Sequence, residues 1–504
     1  MQRIAVVGGG AAAACVVESL ARTVREPCAL TVLDGGGPLW RGRAYQPDSD
    51  RVLTNIHITQ MSLRERDADH ALRWLTRHAP GSVDDDGLTS RSLYGAYLDD
   101  TASRAWRRLA GRGWRLRTVR EHVTRLLPDG DGVSVGTAGG RCERFEHVVL
   151  CTGPTVPGDP YGLATSPRYV ATPFPLARTL ATVPPDERVG VLGSGLTALD
   201  IVAELVARGH RSAIVLASRS GVLPAVRRRS SPEPPRHLTL TCLERNIAAG
   251  RPFRTADLLR LLRDELRAAG VGEAGALREL ALTEPAVERL RRQLRDADAH
   301  DAGLGILRQG LHRFAGHAWN LLPDAEKTVL WQRHGRAVTS LCCPMPRHRA
   351  ELLLRLLDSG QLQLLGGLSG VVPRSPGGFD LVTRDAVAGV GTLFNALNPA
   401  APGTGAPSAP EVFVTRRLDI GHPLGGLRTD RTTHRVPGAH NGRSGLYALG
   451  HSTRGSVLFQ FGMPSLVYQS GLVARAIAAC TDTDAGAGPD APTWSAQGQG
   501  DPGG

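Results

Sequence analysis

Two segments of this 504-residue chain follow one plan, and that plan constrains the fold more than any other feature. In the first, the apolar run Ile4–Val7 leads into Gly8-Gly9-Gly10-Ala11-Ala12-Ala13. Helical spacing follows over Ala11–Arg22, with Val16, Val17 and Leu20 on one face, and a second apolar run, Ala29–Leu33, ends at Asp34. In the second, Val189–Leu192 leads into Gly193-Ser194-Gly195-Leu196-Thr197-Ala198. A helix is expected over Thr197–Arg208, and Ala213–Ala217 ends at Ser218-Arg219. Strand, G-x-G-x-x-A, helix and strand make a βαβ unit, in which the helix carries the chain back so that the strands run parallel. Gly8 and Gly193 permit the tight turn out of the strand. Gly10 and Gly195 let a pyrophosphate approach the backbone, Ala13 allows close helix–strand packing, and the helix N-terminus faces the anion. The reading is an α/β protein with two dinucleotide-binding, Rossmann-like domains.

The two units end differently. Asp34 stands where a carboxylate would accept a ribose 2′-hydroxyl. Ser218-Arg219 offers no acid but a guanidinium, which suits a 2′-phosphate and favours NADPH over NADH; a solvated surface arginine is the plain alternative. Between the units, Val148-Val149-Leu150-Cys151-Thr152-Gly153-Pro154 reads as a strand whose Gly153 lets the chain cross beside a bound dinucleotide.

The rest of the chain is organised around these units. Asp69–His78 has helical spacing. Short strands over Leu116–Val119, His122–Leu126, Val133–Val135 and Val148–Leu150 read as an antiparallel meander feeding a last strand, with turns at Asp129-Gly130 and Gly139-Gly140. Residues 228–340 read as a helical insertion, for example Thr255–Ala269 with Leu258, Leu259, Leu262 and Leu266 on one face. A helix at His348–Leu357 and a strand at Gln361–Leu365 follow. Residues 386–410 read as a loop, Val412–Thr415 and Leu446–Leu449 as strands, and Pro464–Ala479 as a final helix. The expected domains are 1–155 for the first nucleotide (completed by 437–480), 156–436 for the second with the 228–340 insertion, and a disordered tail over 481–504.

Composition narrows the function classes. The net charge is +12, but Lys327 is the only lysine and the arginines are scattered, so nucleic acid is not an expected partner. None of the eight cysteines forms a C-x-x-C pair, which argues against a dithiol redox centre or a zinc site and fits a reduced, cytoplasmic protein. Met1–Val17 looks like a signal peptide at first, but Gly8-Gly9-Gly10 breaks the run. No stretch is long and apolar enough for a membrane span.

The order of G-x-G-x-x-A, meander, C-T-G-P, G-S-G-L-T-A-L-D and a late Leu446-Tyr447-Ala448-Leu449-Gly450 resembles the two-dinucleotide-binding flavoproteins. Four segments make the likeness more specific: Gly42-Arg43-Ala44-Tyr45, Leu53–Asn55 through Gln60–Leu63, Gly193–Asp200, and Ala448–Gly450 through Thr453-Arg454-Gly455. With these the chain resembles the bacterial FAD-NAD(P)-binding proteins related to ornithine and lysine N-hydroxylases, some of which oxidise aspartate to nitrosuccinate in natural-product pathways. The resemblance implies FAD at Gly8, Gly10 and Asp34. It implies flavin contacts from Asn55, Gln60, Met61 and the start of a helix after Gly450, and NADPH at the second motif. His451 stands where many FAD proteins have Asp.

The resemblance further implies a monooxygenase that uses NADPH and O₂ on a small-molecule amino acid or amine, L-aspartate first, with no catalytic group beyond the flavin. An amino-acid carboxylate calls for an arginine fork, and Arg347, Arg349 and Arg454 are the candidates. His312, His317, Trp319 and Trp331 in the insertion read as core. Three alternatives stay open: oxidation of carbon or sulfur, a flavin reductase, and a non-catalytic flavin-binding regulatory protein. A homo-oligomer is also left open.

Overall fold

The computed structural model describes residues 1–129, 131–153, 158–227, 235–248, 250–298, 302–375, 377–398, 420–438, 444–458 and 462–482. Pro154, the Val412–Thr415 strand and the tail beyond residue 482 lie outside them.

Two parallel five-stranded sheets organise the chain. The first contains β1 (Arg3–Val7), β2 (Ala29–Leu33), β3 (Arg115–Val119), β7 (His147–Leu150) and β16 (Gly445–Ala448) in the order β16-β7-β1-β2-β3. The second contains β8 (Tyr169–Val170), β9 (Val189–Leu192), β10 (Ile214–Ala217), β11 (Leu362–Leu365) and β15 (Thr392–Asn395) in the order β11-β10-β9-β15-β8. Each glycine-motif strand sits at the centre of its sheet, buried on both faces, which is why it reads as an unbroken apolar run. The Ala11–Thr23 helix packs Val16, Val17 and Leu20 into the first core, against the Arg91–Gly111 helix and the C-terminal Met463–Asp482 helix. Ser19 of the Ala11–Thr23 helix and Ser470 of the Met463–Asp482 helix meet by a hydroxyl contact of 2.9 Å.

Three sequence expectations are corrected. Leu116–Val119 is not part of the meander: β3 pairs with β2 in parallel. The antiparallel sheet is β4 (Val123–Pro128), β5 (Val133–Thr137) and β6 (Cys142–Phe145). Short half-exposed runs carry no signal for strand direction. Second, the 386–410 segment holds β14 (Val387–Val390) and β15, both read as loop. Gly389 and Gly391 are there for space: a Cβ would stand 2.8 Å from the Arg374 guanidinium at the first and 2.5 Å from the Glu187 carboxylate at the second. β14 completes a small antiparallel sheet with β12 (Gly370–Pro373) and β13 (Phe379–Val382). Third, in the Thr255–Ala268 helix Leu259 is exposed, and the buried stripe runs through Leu258, Leu261, Leu262, Glu265 and Leu266. Glu265 is tolerated there because its carboxylate accepts the amides of Arg236, His237 and Leu238 at 2.6–2.9 Å.

The insertion is helical and touches both halves of the molecule. Its Ala286–Arg295 and Asp324–Cys342 helices hold the second domain through Gln293, which accepts the Val226 amide, and through Arg289 and Ser340, which donate to the Leu223 carbonyl. Its other core gathers Phe314, Ala318 and Trp319 with Leu458, which follows the last strand of the first sheet.

Candidate dinucleotide and substrate sites

The two glycine motifs repeat one geometry to within a few tenths of an ångström. Gly8 has φ +100° and Gly193 φ +113°; a Cβ would stand 2.7 Å from the Cys151 carbonyl oxygen in the first and 2.8 Å from that of Ala396 in the second. The Gly8 amide donates to Leu33 O and the Gly193 amide to Ala217 O, both at 2.8 Å. Cys151 donates to Val7 O and Ala396 to Leu192 O, at 2.8 and 2.9 Å. Only glycine fits such a position, where φ is positive and a neighbouring strand end crowds the Cα. The first helical bonds are Ala14 to Gly10 O and Leu199 to Gly195 O, so the amides before them point out of each helix end. Nothing lies within 4 Å of a Cβ built on Gly195. The second end is therefore open to a pyrophosphate, while at the first a Cβ on Gly10 would stand 3.2 Å from Gly42 Cα.

At the first motif a loop closes over the cradle. Trp40 donates to Gly9 O at 2.5 Å, and Gly42, at φ +58°, brings its backbone against Gly10. Asp34 ends β2 with Oδ1 accepting the Gly9 amide at 3.0 Å, and Arg120 stands 3.8 Å from Oδ2. At the second motif Ser218 is committed internally. Ser194 donates its proton to Val222 O at 2.7 Å, so Ser218 is the donor in the 3.1 Å Ser194–Ser218 contact while it accepts the Gly221 amide at 3.0 Å. Arg219 is exposed and has no hydrogen-bond or ion-pair partner among the described residues. Thr197 is half-buried in the first turn of the second helix, and Gly153 is exposed beyond β7.

A narrow cleft separates the domains, lined by Leu53, Thr54, Asn55 and Arg91 on one side and Leu196, Leu199, Asp200, Pro346 and Arg349 on the other. It is bridged by polar contacts. Arg91 lies 3.4 Å from Asp200, Arg349 donates to Arg51 O at 2.9 Å, Ser49 donates to Glu204 at 2.6 Å, and Arg227 donates to Asn55 O at 2.6 Å. Burial raises the Asp200 carboxyl above its ordinary range despite Arg91 and Arg349. Burial likewise lowers the Arg349 guanidinium. Among the residues assigned to the flavin, Asn55 lines this cleft, Gln60 is exposed, and Met61 is buried in the first core with its carbonyl accepting Tyr94 OH at 2.6 Å.

The segment after Gly450 is a single 3₁₀ turn, Gly450–Thr453, rather than the start of a helix; the last helix begins at Met463. The turn is anchored from both sides. Gly450 N donates to Gln469 at 3.0 Å, Thr152 meets Ser452 at 2.8 Å, and the Trp319 indole of the insertion donates to Gly455 O at 2.7 Å. Asp324, at the head of the Asp324–Cys342 helix, binds His422, Arg428 and Lys327. Burial opposes its ionisation, but Arg428, Lys327 and His422 outweigh that and hold the carboxyl at about 2.

The three arginines proposed as a clamp have separate surroundings. Arg347 is exposed and pairs with Glu351 at 3.0 Å, one helical turn on. Arg349 is buried in the domain contact. Arg454 is half-buried on the Gly450 turn, and its side chain has no hydrogen-bond partner among the described residues. Sequence reasoning missed Arg91, Arg227 and Asp200 at the cleft. Asp200 closes the Gly193–Asp200 motif and faced the right way to be noticed, but nothing local marks the two arginines. Cys15 and Cys151, beside the first motif, are buried with thiols pushed up by burial, and all eight cysteines are free.

Residues 5–155 match the family described as FAD-NAD(P)-binding. The fold of nearly the whole chain is that of the amino-acid N-hydroxylases. It is similar to an ornithine N-hydroxylase from Kutzneria sp. 744 solved with reduced FAD, NADP⁺ and L-ornithine (TM-score 0.59, 14% identity, 95% of this chain and 99% of that one). It is also similar to the ornithine hydroxylase of Pseudomonas aeruginosa (0.58, 12%, 95% and 99%) and the L-lysine 6-monooxygenase of Pseudomonas syringae (0.53, 16%, 95% and 100%). No curated protein matches by sequence. Among the described residues no helix is long and apolar enough to cross a membrane.

Proposed function

We propose that this protein is an FAD- and NADPH-dependent monooxygenase that N-hydroxylates an amino acid or amine, with L-aspartate to nitrosuccinate as the specific reaction to try first. The observation that carries the reading is the pair of matching glycine cradles in one chain, on either side of a cleft. A chain that only bound flavin would have no use for the second. Bound FAD, reduced by NADPH, supplies the activation of O₂. The chain's own residues supply position: the Ala11 and Leu196 helix ends hold the two pyrophosphates, Asp34 the FAD ribose, and Arg219 the 2′-phosphate of NADPH. Trp319 of the insertion bonds to Gly455 O just after the Gly450 turn and packs with Phe314 and Leu458, apolar surface suited to limiting water on that side.

Arg454 is the residue we assign to a substrate carboxylate. Burial already disfavours its charge, and an anion would restore it. Arg454→Ala should raise the apparent KM for the responsive amino acid about 10- to 100-fold, the range of a charge-assisted hydrogen bond, with FAD content unchanged. Arg347→Ala should leave KM alone, because an exposed ion pair contributes little. An unchanged KM in Arg454→Ala would remove it from the site.

The overall test is NADPH oxidation and O₂ uptake by the purified flavoprotein with a panel of amino acids and amines. Stimulated uptake with an oxidised-nitrogen product by mass spectrometry supports the proposal. A flavoprotein stimulated only by carbon or sulfur compounds overturns N-hydroxylation.

A further inference from the structure

The second cradle leaves one need unmet. A 2′-phosphate wants several donors, and Ser218 cannot be one, since its proton goes to Ser194. Arg219 alone remains on that strand end. The chain supplies a neighbour from a different segment. Asp159-Pro160-Tyr161-Gly162 is a turn encoded residue by residue: Asp at the first position, Pro at the second, Gly at the fourth. It closes with the Gly162 amide on Asp159 O at 3.3 Å, and Asp159 Oδ2 accepts the Ala164 amide at 2.7 Å. The turn is tied to the carboxyl edge of the second sheet by Asn395, which ends β15 and donates to Gly158 O at 3.2 Å. Tyr161 packs its ring against the cluster that holds Leu192, Ala217 and Leu365, the last residues of β9, β10 and β11.

That edge is where ligands sit in an open parallel sheet. The Tyr161 hydroxyl has no hydrogen-bond partner among the described residues. A phenol keeps its proton and remains a donor at neutral pH, and burial pushes this one further up against the opposing pull of Arg219; Arg219 follows Ala217, the residue of the same cluster that ends β10.

We propose that Tyr161 is a second specificity residue for the dinucleotide, its hydroxyl joining Arg219 around the adenosine 2′-phosphate and its ring lying against the adenosine. The proposal rests on the reading of the second motif as an NADPH site and names the residue that completes it. It places the 158–164 segment, which links the two domains, over the nucleotide crevice.

Calorimetric titration of the FAD-loaded protein with adenosine 2′,5′-bisphosphate and with 5′-AMP tests it. Wild type should prefer the bisphosphate. Tyr161→Phe should weaken the bisphosphate about 3- to 10-fold, the value of one hydrogen bond, and leave 5′-AMP unchanged. Tyr161→Ala should weaken both. Unaltered flavin absorbance in both variants shows that they fold. Bisphosphate binding in Tyr161→Phe within twofold of wild type overturns the proposal while keeping the NADPH site. A wild type with no preference for the bisphosphate overturns the NADPH reading as well, and the proposal with it.

Discussion

Gly8→Ala should give a chain that no longer retains FAD, whereas Gly193→Ala should retain FAD and lose its reduction by NADPH. The two substitutions are chemically identical and geometrically matched. Each forces an L-residue to φ near +100° or +113°, a strain of about 1–3 kcal/mol. Each also drives a methyl group to within 2.7 or 2.8 Å of a carbonyl oxygen on a neighbouring strand end. The carbonyl belongs to the backbone and cannot swing aside, so the turn itself must open, and the helix end that would hold the pyrophosphate moves with it. A loss of at least about 100-fold in affinity is expected at the altered site, because displacing a charge-stabilising helix end forfeits several charge-assisted hydrogen bonds together. Flavin absorbance of the purified variants, FAD titration and anaerobic mixing with NADPH separate the cases. A Gly8→Ala protein that purifies with full flavin would sink the assignment of the first cradle; normal NADPH reduction in Gly193→Ala would sink that of the second.

Arg289→Met should be the most destabilising single change in the insertion. Glu279 and Arg289 are both almost wholly buried, at 2% and 5% exposure. Glu279 receives Arg289 through two nitrogens at 2.8 and 3.0 Å, Gln293 at 2.8 Å and Arg292 at 2.8 Å. Burial would push the Glu279 carboxyl up, but Arg289's charge and these hydrogen bonds outweigh it and the net shift is downward. Removing Arg289 leaves a buried carboxylate under-compensated and the Leu223 carbonyl short of one donor, a loss of about 3–5 kcal/mol. A thermal melt and a denaturant titration should show it. Replacing Glu279 and Arg289 together by apolar residues should recover part of the loss; if the double variant is as unstable as the single, packing rather than stranded charge is responsible. The sign with pH follows. The folded-state pKa of Glu279 lies below its unfolded value, so its contribution is fully present above about pH 4.5 and is lost as pH falls through the folded value. Arg289→Met should therefore narrow the gap to wild type in acid.

Because Arg289 also holds Leu223, beyond β10, its loss is expected to be felt at the second cradle. Arg349→Ala should act in the same manner at the domain contact. It strips a cation from beside Asp200 and a donor from Arg51 O, and it should lower stability rather than alter the substrate KM alone.

How far the sequence could be read depended on whether a residue's role was local. The strand–glycine–helix units and the core face of the Ala11–Thr23 helix are fixed within about thirty residues. There φ restrictions, helical period and burial all act on neighbours in the chain. Those features were legible: the glycine turns at Gly8 and Gly193, the helix starts after Gly10 and Gly195, and the positions of Asp34 and Arg219 just past their strands. Strand direction was not. β3 and β15 depend on which distant strand each one pairs with, and a four- or five-residue run holds no record of that. The surroundings of the arginines were equally hidden. Arg347 and Arg349 are two residues apart in sequence, yet one meets solvent and the other is buried between domains. Arg454 is half-buried with no side-chain hydrogen-bond partner among the described residues, next to Gly455, whose carbonyl takes the indole of a tryptophan more than a hundred residues earlier in the chain. The sequence by itself determined two dinucleotide cradles and their order along the chain, because each is built from contiguous backbone. Only the tertiary structure decided which charges face the cleft, which are spent holding the domains together and which stay free for a ligand, because a guanidinium takes its role from whatever carboxylate, carbonyl or solvent the fold places beside it.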